Sequence, residues 1–432
     1  PESASTLTDW LSRIEGLHTR VIDLGLDRVR EVAGRLGLSL PGITFVVAGT
    51  NGKGSTCAML ESVLMAAGYR VGCYTSPHLV RFNERARING VPADDAALVE
   101  QLQAVEAARQ GAPLTWFEFT TLAILKLFQH SALDVNVLEI GLGGRLDAVN
   151  LIDADCAIVT CIDIDHAEFL GDTRELIGLE KAHVYRSGRP AICTDPLPPA
   201  SLVAHAQGIG ADLWLFGRDF NYSGDRQQWS YGGRGQRRNS LAYPALRGAN
   251  QLLNASGVLA AIESVRDRLP VSAQAVRQGF ATVELPGRFQ VLAGRPAVVL
   301  DVAHNPHAAA HLAANLDNMG FFPQTYAVFG MLADKDIDAT VAHLRQRVDH
   351  WLCVDLPGPR GSSAQSLADR LHAAGIRPGH GDDAQRSITC CASPREGLQR
   401  ARALAEENDR IVVFGSFLTV ADVLSDRSGQ TS

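Results

Sequence analysis

The stretch Ala48-Gly49-Thr50-Asn51-Gly52-Lys53-Gly54-Ser55-Thr56, AGTNGKGST, follows a strand-like run, ITFVV, and opens a helix-like one. Strand, glycine-rich turn and helix in that order make a phosphate-binding loop, because the backbone N–H groups and the following helix N-terminus form an anion site. The spacing is unusual. A Walker A loop needs Gly, four residues, then Gly-Lys-Ser/Thr; here the place of its first Gly is taken by valine. Lys53 is followed by Gly54, with hydroxyls only at Ser55 and Thr56. Lys53 can still reach terminal phosphates, and Ser55 can present its hydroxyl to a phosphate or a Mg2+ ion. A bare structural turn explains Lys53 between two glycines less well than nucleotide binding does.

Working outward, Cys57, Leu60, Val63, Leu64 and Ala67 recur at helical spacing, and Gly68 is placed to end that helix. YRVGCYTS then closes a βαβ unit. Further strands are expected at DVNVLEIG, CAIVTCID and RPAICT, separated by helical segments such as FEFTTLAILKLFQH. Such alternation predicts a parallel sheet covered on both faces. The polar, Gly-rich and aromatic stretch from Gly217 to Arg247 breaks the pattern and reads as a small hairpin insertion or loop. A second alternating block follows Pro286-Gly287, with strands at AVVLD, TYAVFG, WLCVD and IVVFG. The boundary falls near Glu284 to Gly287, giving domains at 1–285 and 286–432.

The 432 residues suit two or three domains. A net charge of -7 argues against a general nucleic-acid binder, which would carry a basic surplus. No apolar run approaches a membrane span, and the start, PESASTLTDW, lacks the basic and apolar regions of a signal peptide. Eight scattered cysteines without a CxxC pair read as reduced thiols, and the expected compartment is the cytoplasm.

Three further features fall after strands of the first sheet. Glu139, in EIGLGGRLDAVN, ends a buried-looking strand, where a carboxylate needs a cation or donors; a salt bridge to Arg145 and a metal are both open. DIDHAEFLG places Asp163, Asp165 and His166 beyond another strand, and an isolated His is more often structural than a ligand. Ser76 follows the strand after the loop helix, where it could equally cap a helix. Their shared location shifts the balance. In a parallel sheet these ends lie on one edge, beside the phosphates, and oxygen ligands with one His nitrogen suit Mg2+ better than Zn2+.

Taken in order, AGTNGKGST, SPHL, EIGLGGRLDA, DHAEFLG, LEKAHVYR, LPGRFQ, DVAHNPHAA and GSFLTV resemble the folylpolyglutamate synthase/dihydrofolate synthase family of the Mur ligase superfamily. Two positions depart from that pattern: Leu418 stands where many relatives carry His, and His183 where they often carry Gly. The resemblance implies a P-loop-containing parallel-sheet α/β ATPase domain, followed by a smaller Rossmann-like α/β domain that closes over ATP and binds glutamate. It also implies an activity: ATP-dependent joining of L-glutamate to dihydropteroate and to reduced folates through an acyl phosphate. ATP would be held by Thr50, Asn51, Gly52, Lys53, Gly54, Ser55, Asn254, Arg288, Asp301 and His304. Ser76, Glu139 and His166 would hold Mg2+, with Lys181, carbamylated, holding a second ion; Lys53, Lys181 and His166 would be catalytic. Asp23, Leu24 and Gly25, then Thr115, Trp116, Phe117 and Glu118, and finally Leu146, Asp147 and Ala148 match the family's pterin-holding segments. From the residues alone, Lys181 reads as an exposed helix lysine paired with Glu180 or Glu175. Trp116 and Phe117 likewise read as core of the next helix, although the pair also offers flat apolar surface for an aromatic ring. The expected partners are those small molecules, and the chain is expected to be a monomer. Two other readings remain. A peptidoglycan ligase of Mur type would share the ATP site. A regulatory P-loop NTPase would need an Asn-Lys-x-Asp tetrad, and ADKD at 333–336 lacks the Asn.

Overall fold

The computed structural model describes residues 6–18, 22–225, 227–248, 250–376 and 387–428. Residues 1–5, on which the reading of the chain's start partly rests, lie outside them. The chain divides into two compact units, Pro1–Ala245 with Leu252–Val283, and Leu246–Gln251 with Glu284–Ser432.

The first unit is built on one sheet. In chain order its strands are β1 (Ile43–Ala48), β2 (Val71–Tyr74), β3 (Ala86–Ile88), β4 (Val91–Pro92), β5 (Val135–Glu139), β6 (Cys156–Val159), β7 (Pro190–Cys193) and β8 (Asp212–Leu215). Across the sheet the order is β4-β3-β2-β5-β1-β6-β7-β8. β2, β5, β1, β6, β7 and β8 pair in parallel, and β3 and β4 extend one edge antiparallel. β1 and β5 are buried throughout, as strands covered on both faces must be. Register sets the ends side by side: Val47 faces Glu139 across β1 and β5, and Ala48 faces Val159 across β1 and β6. The chain runs from β1 out to β2 on one flank and later from β5 across to β6 on the other. The carboxyl ends of β5, β1 and β6 therefore flank the crevice where open α/β sheets hold ligands.

The helices of this unit are α1 (Leu7–Glu15), α2 (Asp27–Arg35), α3 (Lys53–Ala66), α4 (Asp95–Arg109), α5 (Trp116–His130), α6 (Ala167–Leu170), α7 (Arg174–Ala182), α8 (Ala200–Gly208), α9 (Gln251–Ser264) and α10 (Ala273–Thr282). α3, the helix expected after the loop, is buried over most of its length and packs on α10. Gly68, at φ 91°, lies just beyond its C-cap. The segment left open as hairpin or loop is a three-stranded antiparallel sheet of β9 (Asn221–Gly224), β10 (Gln228–Gly232) and β11 (Arg237–Ala242). Glu263 of α9 ties it down. Its carboxylate accepts from the Tyr231 hydroxyl at 2.7 Å and from the N–H groups of Gly235 and Gln236 at 2.7 and 2.8 Å.

The second unit carries β12 (Gln290–Leu292), β13 (Ala297–Leu300), β14 (Thr325–Phe329), β15 (His350–Val354), β16 (Ser387–Cys391) and β17 (Arg410–Phe414), ordered β12-β13-β17-β14-β15-β16. Only β12 of these runs antiparallel to its neighbour. Phe329, Trp351 and Phe414 centre its core, with ring centroids 5.0–6.2 Å apart. The expected α/β architecture, a larger parallel-sheet unit followed by a smaller one, is present. Among the described residues no helix is long and apolar enough to cross a membrane.

Candidate active site

The phosphate loop stands at the carboxyl end of β1 and is tied to the segment after β6. Thr50 donates its N–H to the Cys161 carbonyl at 2.8 Å, and its hydroxyl exchanges two hydrogen bonds with the Asp163 backbone at 2.9 and 3.0 Å. The Asn51 carbonyl accepts from the Thr160 hydroxyl at 2.7 Å. These contacts make Thr50 and Asn51 anchors that fix the loop's shape. Gly52 is the N-cap of α3 in the left-handed region, at φ 88°. A Cβ there would lie 2.8 Å from Oδ1 of Asn254, so Gly52 is required both by its conformation and by the side chain beside it. Asn254 thus faces the loop from the first turns of α9, rather than capping a helix. The first turn of α3 contains no acidic residue to oppose an anion at its positive dipole end.

Two lysines meet at this loop. Nζ of Lys53 donates to the Gly49 carbonyl at 2.9 Å, and Nζ of Lys181 donates to the same oxygen at 3.2 Å. Lys181 is buried, 4% exposed, which overturns its reading as an exposed helix lysine. The two acids that reading paired it with are engaged elsewhere: Glu180 pairs with Arg145 at 2.8 Å, and Glu175 accepts from the N–H groups of Ala200 and Ser201. Burial, helped by the Lys53 charge, pulls the Lys181 amine down from 10.5 to about 7. The same pairing engages Arg145 with Glu180 rather than with Glu139. Buried Glu139 accepts the Ser76 N–H at 2.9 Å, which joins the end of β5 to the turn after β2. Ser76 lies in that turn and caps no helix.

His166 follows β6 in the left-handed region at φ 51°, and its N–H donates to Asp165 at 2.8 Å. Among the described residues no group of three His, Cys, Asp or Glu side chains forms a metal cage. The Ser76, Glu139 and His166 set fits Mg2+ in another way, since that ion keeps several waters and shares phosphate oxygens, taking one or two carboxylates from protein.

A cavity of about 640 Å³ lies against this edge, within the range of small-molecule sites. The sequence segments singled out above meet in its wall. Asp23 and Leu24 line it, as do Thr115, Trp116, Phe117 and Glu118 from the start of α5, and Leu146, Asp147 and Ala148 from the loop after β5. Gly25 is not part of the lining. Ser76 and His166 line the same cavity, joining the pterin-matched segments to the metal-matched ones. Trp116 and Phe117 are half-buried in the first turn of α5, whereas Phe119 and Phe128 fill the core, so α5 serves both purposes. Glu118 forms a capping box with Thr115, and its carboxylate also takes Nε of Arg28 at 2.8 Å; Arg28 pairs with Asp23 at 2.6 Å. Asp147 accepts from the N–H groups of Leu142 and Val149, and burial raises its carboxyl to about 6 against the pull of Lys53.

Sequence reading missed Arg28, His18 and Arg85 here. Arg28 lies in the first turn of α2, and an arginine five residues beyond the Asp23 carboxylate was the available signal. Nothing in RFNERAR marked Arg85, which lines the cavity from a short 3-10 turn.

In the second unit, Arg288, Asp301 and His304 come together around Phe417. The Arg288 guanidinium stands 5.4 Å from that ring's centroid and the His304 ring 6.0 Å. Asp301, at the end of β13, accepts from the N–H groups of Phe289 and Ala303 at 2.9 and 2.8 Å; burial raises its carboxyl, and Arg288 opposes the rise.

Comparison with known proteins gives a consistent result. Residues 287–417 match the family described as Mur ligase, glutamate ligase domain. The dihydrofolate synthase/folylpolyglutamate synthase of Escherichia coli (strain K12) is 45% identical over 425 residues, covering 98% of this chain and 96% of that protein. Escherichia coli FolC solved in complex with DHPP and ADP aligns with a TM-score of 0.93 at 43% identity, covering 100% of both chains. A bifunctional folylpolyglutamate synthase/dihydrofolate synthase solved with Mn, AMPPNP and L-glutamate bound aligns with a TM-score of 0.88 at 42% identity, covering 99% of each.

Proposed function

The chain belongs to the dihydrofolate synthase/folylpolyglutamate synthase family, and from that premise we propose how its residues carry out ATP-dependent ligation of L-glutamate. Dihydropteroate is the acceptor in one reaction and a reduced folate in the other. In each, the acceptor carboxylate takes the terminal phosphoryl group of ATP to give an acyl phosphate, and the glutamate amine displaces phosphate as the amide forms.

One observation carries this reading: a single cavity joins Asp23, Phe117 and Asp147, which suit a flat amino-heterocycle, to Ser76 and His166 at the phosphate edge. The heterocycle's N–H groups would meet the carboxylates, and its ring would lie against Trp116 and Phe117. Gly52 to Ser55 would receive the phosphates through the first turn of α3, with Thr50 and Asn51 holding the loop and Asn254 packed beside it. Lys53 would follow the transferring charge.

Ser76, Glu139 and His166 would hold Mg2+, which when bound neutralises phosphate charge. Lys181 is the residue for a second ion. With its amine held near 7, much of it is neutral at physiological pH and can attack CO2, forming an N–C bond and releasing a proton to give a carbamate. That converts a cation beside Lys53 into an oxygen ligand. The match of residues 287–417 to a glutamate ligase domain supports placing glutamate on the second unit, where Arg288, Asp301 and His304 are the proposed nucleotide residues. A monomer in the cytoplasm completes the proposal, and the eight free thiols suit a reducing compartment.

The test is phosphate release measured with each substrate omitted in turn. Release should require ATP, glutamate and a pteroate or folate carboxylate together. Release that ignores the pterin substrate, or that follows a UDP-sugar peptide instead, would overturn the assignment.

A further inference from the structure

Arg85 lines the cavity while only 8% exposed, and among the described residues no carboxylate pairs with it. Its Nε donates to Nδ1 of His78 at 2.8 Å. Its guanidinium lies 4.8 Å from the Trp116 ring centroid and 5.8 Å from that of Phe82. Accepting at Nδ1 requires that ring nitrogen to carry no proton. The positive charge of the pair therefore stays on Arg85.

The acids of the neighbourhood have other work. Glu84 takes the N–H groups of Leu79, Val80 and Arg81 at 2.6–2.8 Å. Asp23 and Glu118 pair with Arg28, and Glu139 accepts from Ser76. Burial disfavours the Arg85 charge, and Glu139 and Glu84 offset this from a distance without pairing with it. The guanidinium is clamped by two aromatic rings and an imidazole, and among the described residues its other N–H donors take no acceptor. Its position gives the direction: the Arg85 carbonyl accepts the Thr75 N–H at 3.0 Å, which puts Arg85 beside the Ser76 turn, the metal-matched end of the cavity.

We propose that Arg85 binds the carboxylate of the pteroate or folate substrate, the group that is phosphorylated, and presents it to the phosphate edge. The proposal rests on the reading that this cavity holds the pterin substrate. A guanidinium matches a carboxylate with two parallel N–H···O bonds, fixing its plane as well as its place. One carboxylate oxygen then forms the bond to phosphorus as ADP leaves, while the other stays on Arg85. When the glutamate nitrogen attacks the carbonyl carbon, that second oxygen gathers negative charge opposite the guanidinium. It returns the electron pair as phosphate departs with the first oxygen and the amine loses its proton.

The experiment compares equilibrium binding of dihydropteroate with that of the same pterin-aniline lacking the carboxylate. Both are titrated into wild-type protein, Arg85→Met, which keeps the stem over Trp116, and Arg85→Lys, which keeps the charge. Arg85→Met should weaken dihydropteroate by about 10- to 100-fold while leaving the carboxylate-free analogue and the KM for ATP unchanged. Arg85→Lys should recover part of the loss. If Arg85→Met does not fold, Arg85→Lys alone decides: a loss confined to dihydropteroate supports the role. Equal weakening of both ligands, or a loss confined to ATP, overturns it. Should wild-type protein bind neither ligand, the cavity assignment fails and this proposal with it.

Discussion

Lys53 and Lys181 present their amines to one carbonyl oxygen, that of Gly49, and two ammonium groups so close repel. Lys53 is the one proposed to meet phosphate. Lys53→Ala removes a charge from a loop and little packing, so ligation at saturating ATP should fall by roughly 100-fold or more with the thermal unfolding midpoint unchanged. Near-normal turnover would contradict this placement of the triphosphate. Lys181 answers differently because its amine is buried. Its folded value of about 7 lies below the ordinary 10.5, so the folded chain binds fewer protons than the unfolded one between those values. The amine's cost to stability is therefore absent above pH 10.5, grows as pH falls, and is complete below pH 7. In metal-free protein, Lys181→Met should raise the urea midpoint at pH 7, by a margin that vanishes towards pH 10.5, while ligation is lost. A destabilised Lys181→Met protein would make the lysine a structural donor to Gly49. Carbamate needs the neutral amine, so its carbon signal from labelled bicarbonate should rise as pH climbs through 7. Glu139→Gln should raise the Mg2+ requirement of any residual activity. An unchanged requirement would leave Glu139 only as the acceptor for Ser76.

At the scale of elements, two helices are built to opposite ends. α3 carries the loop and rests on α10, where a Cβ on Gly279 would come 2.4 Å from Cα of Val63 and Ser62 donates its hydroxyl to the Gly279 carbonyl at 2.7 Å. Gly279→Ala should therefore destabilise the first unit by about 1–3 kcal/mol, read as a lower denaturant midpoint, with ATP affinity of the folded fraction intact. α5 instead offers its first turn to the cavity. Phe117→Ala should impair use of dihydropteroate much more than further glutamylation of a reduced folate, because a glutamate tail moves the pterin away from the phosphate by several ångströms. Equal loss in both reactions would argue for one shared pterin position.

These elements also mark what the sequence could tell. Long buried strands and the loop between β1 and α3 were legible from apolar runs and glycine placement. The β3–β4 hairpin was legible too and passed over: Asn89-Gly90, both at positive φ, is a strong turn signal. β8, β12 and β16 stand at sheet edges, where few apolar positions are demanded, so periodicity is faint. Burial of Lys181 was hidden because one helix turn shows Glu180 outside and Lys181 inside with no change of residue class. Arg85 was hidden because its meaning depends on Trp116 of α5, distant in sequence, closing over the local Phe82 and His78 only in the fold.

At the scale of the whole molecule, both reactions draw on one phosphate edge and one incoming amine, and differ in how far the pterin lies from the carboxylate that reacts. The central claim is that this carboxylate is itself phosphorylated. It is tested most directly by dihydropteroate labelled with oxygen-18 in its carboxylate, turned over with ATP and L-glutamate, with the inorganic phosphate then analysed for label. An acyl phosphate predicts that one labelled oxygen passes into phosphate for each dihydrofolate made, and that none passes when glutamate is withheld and no product forms. Unlabelled phosphate accompanying dihydrofolate would contradict the account.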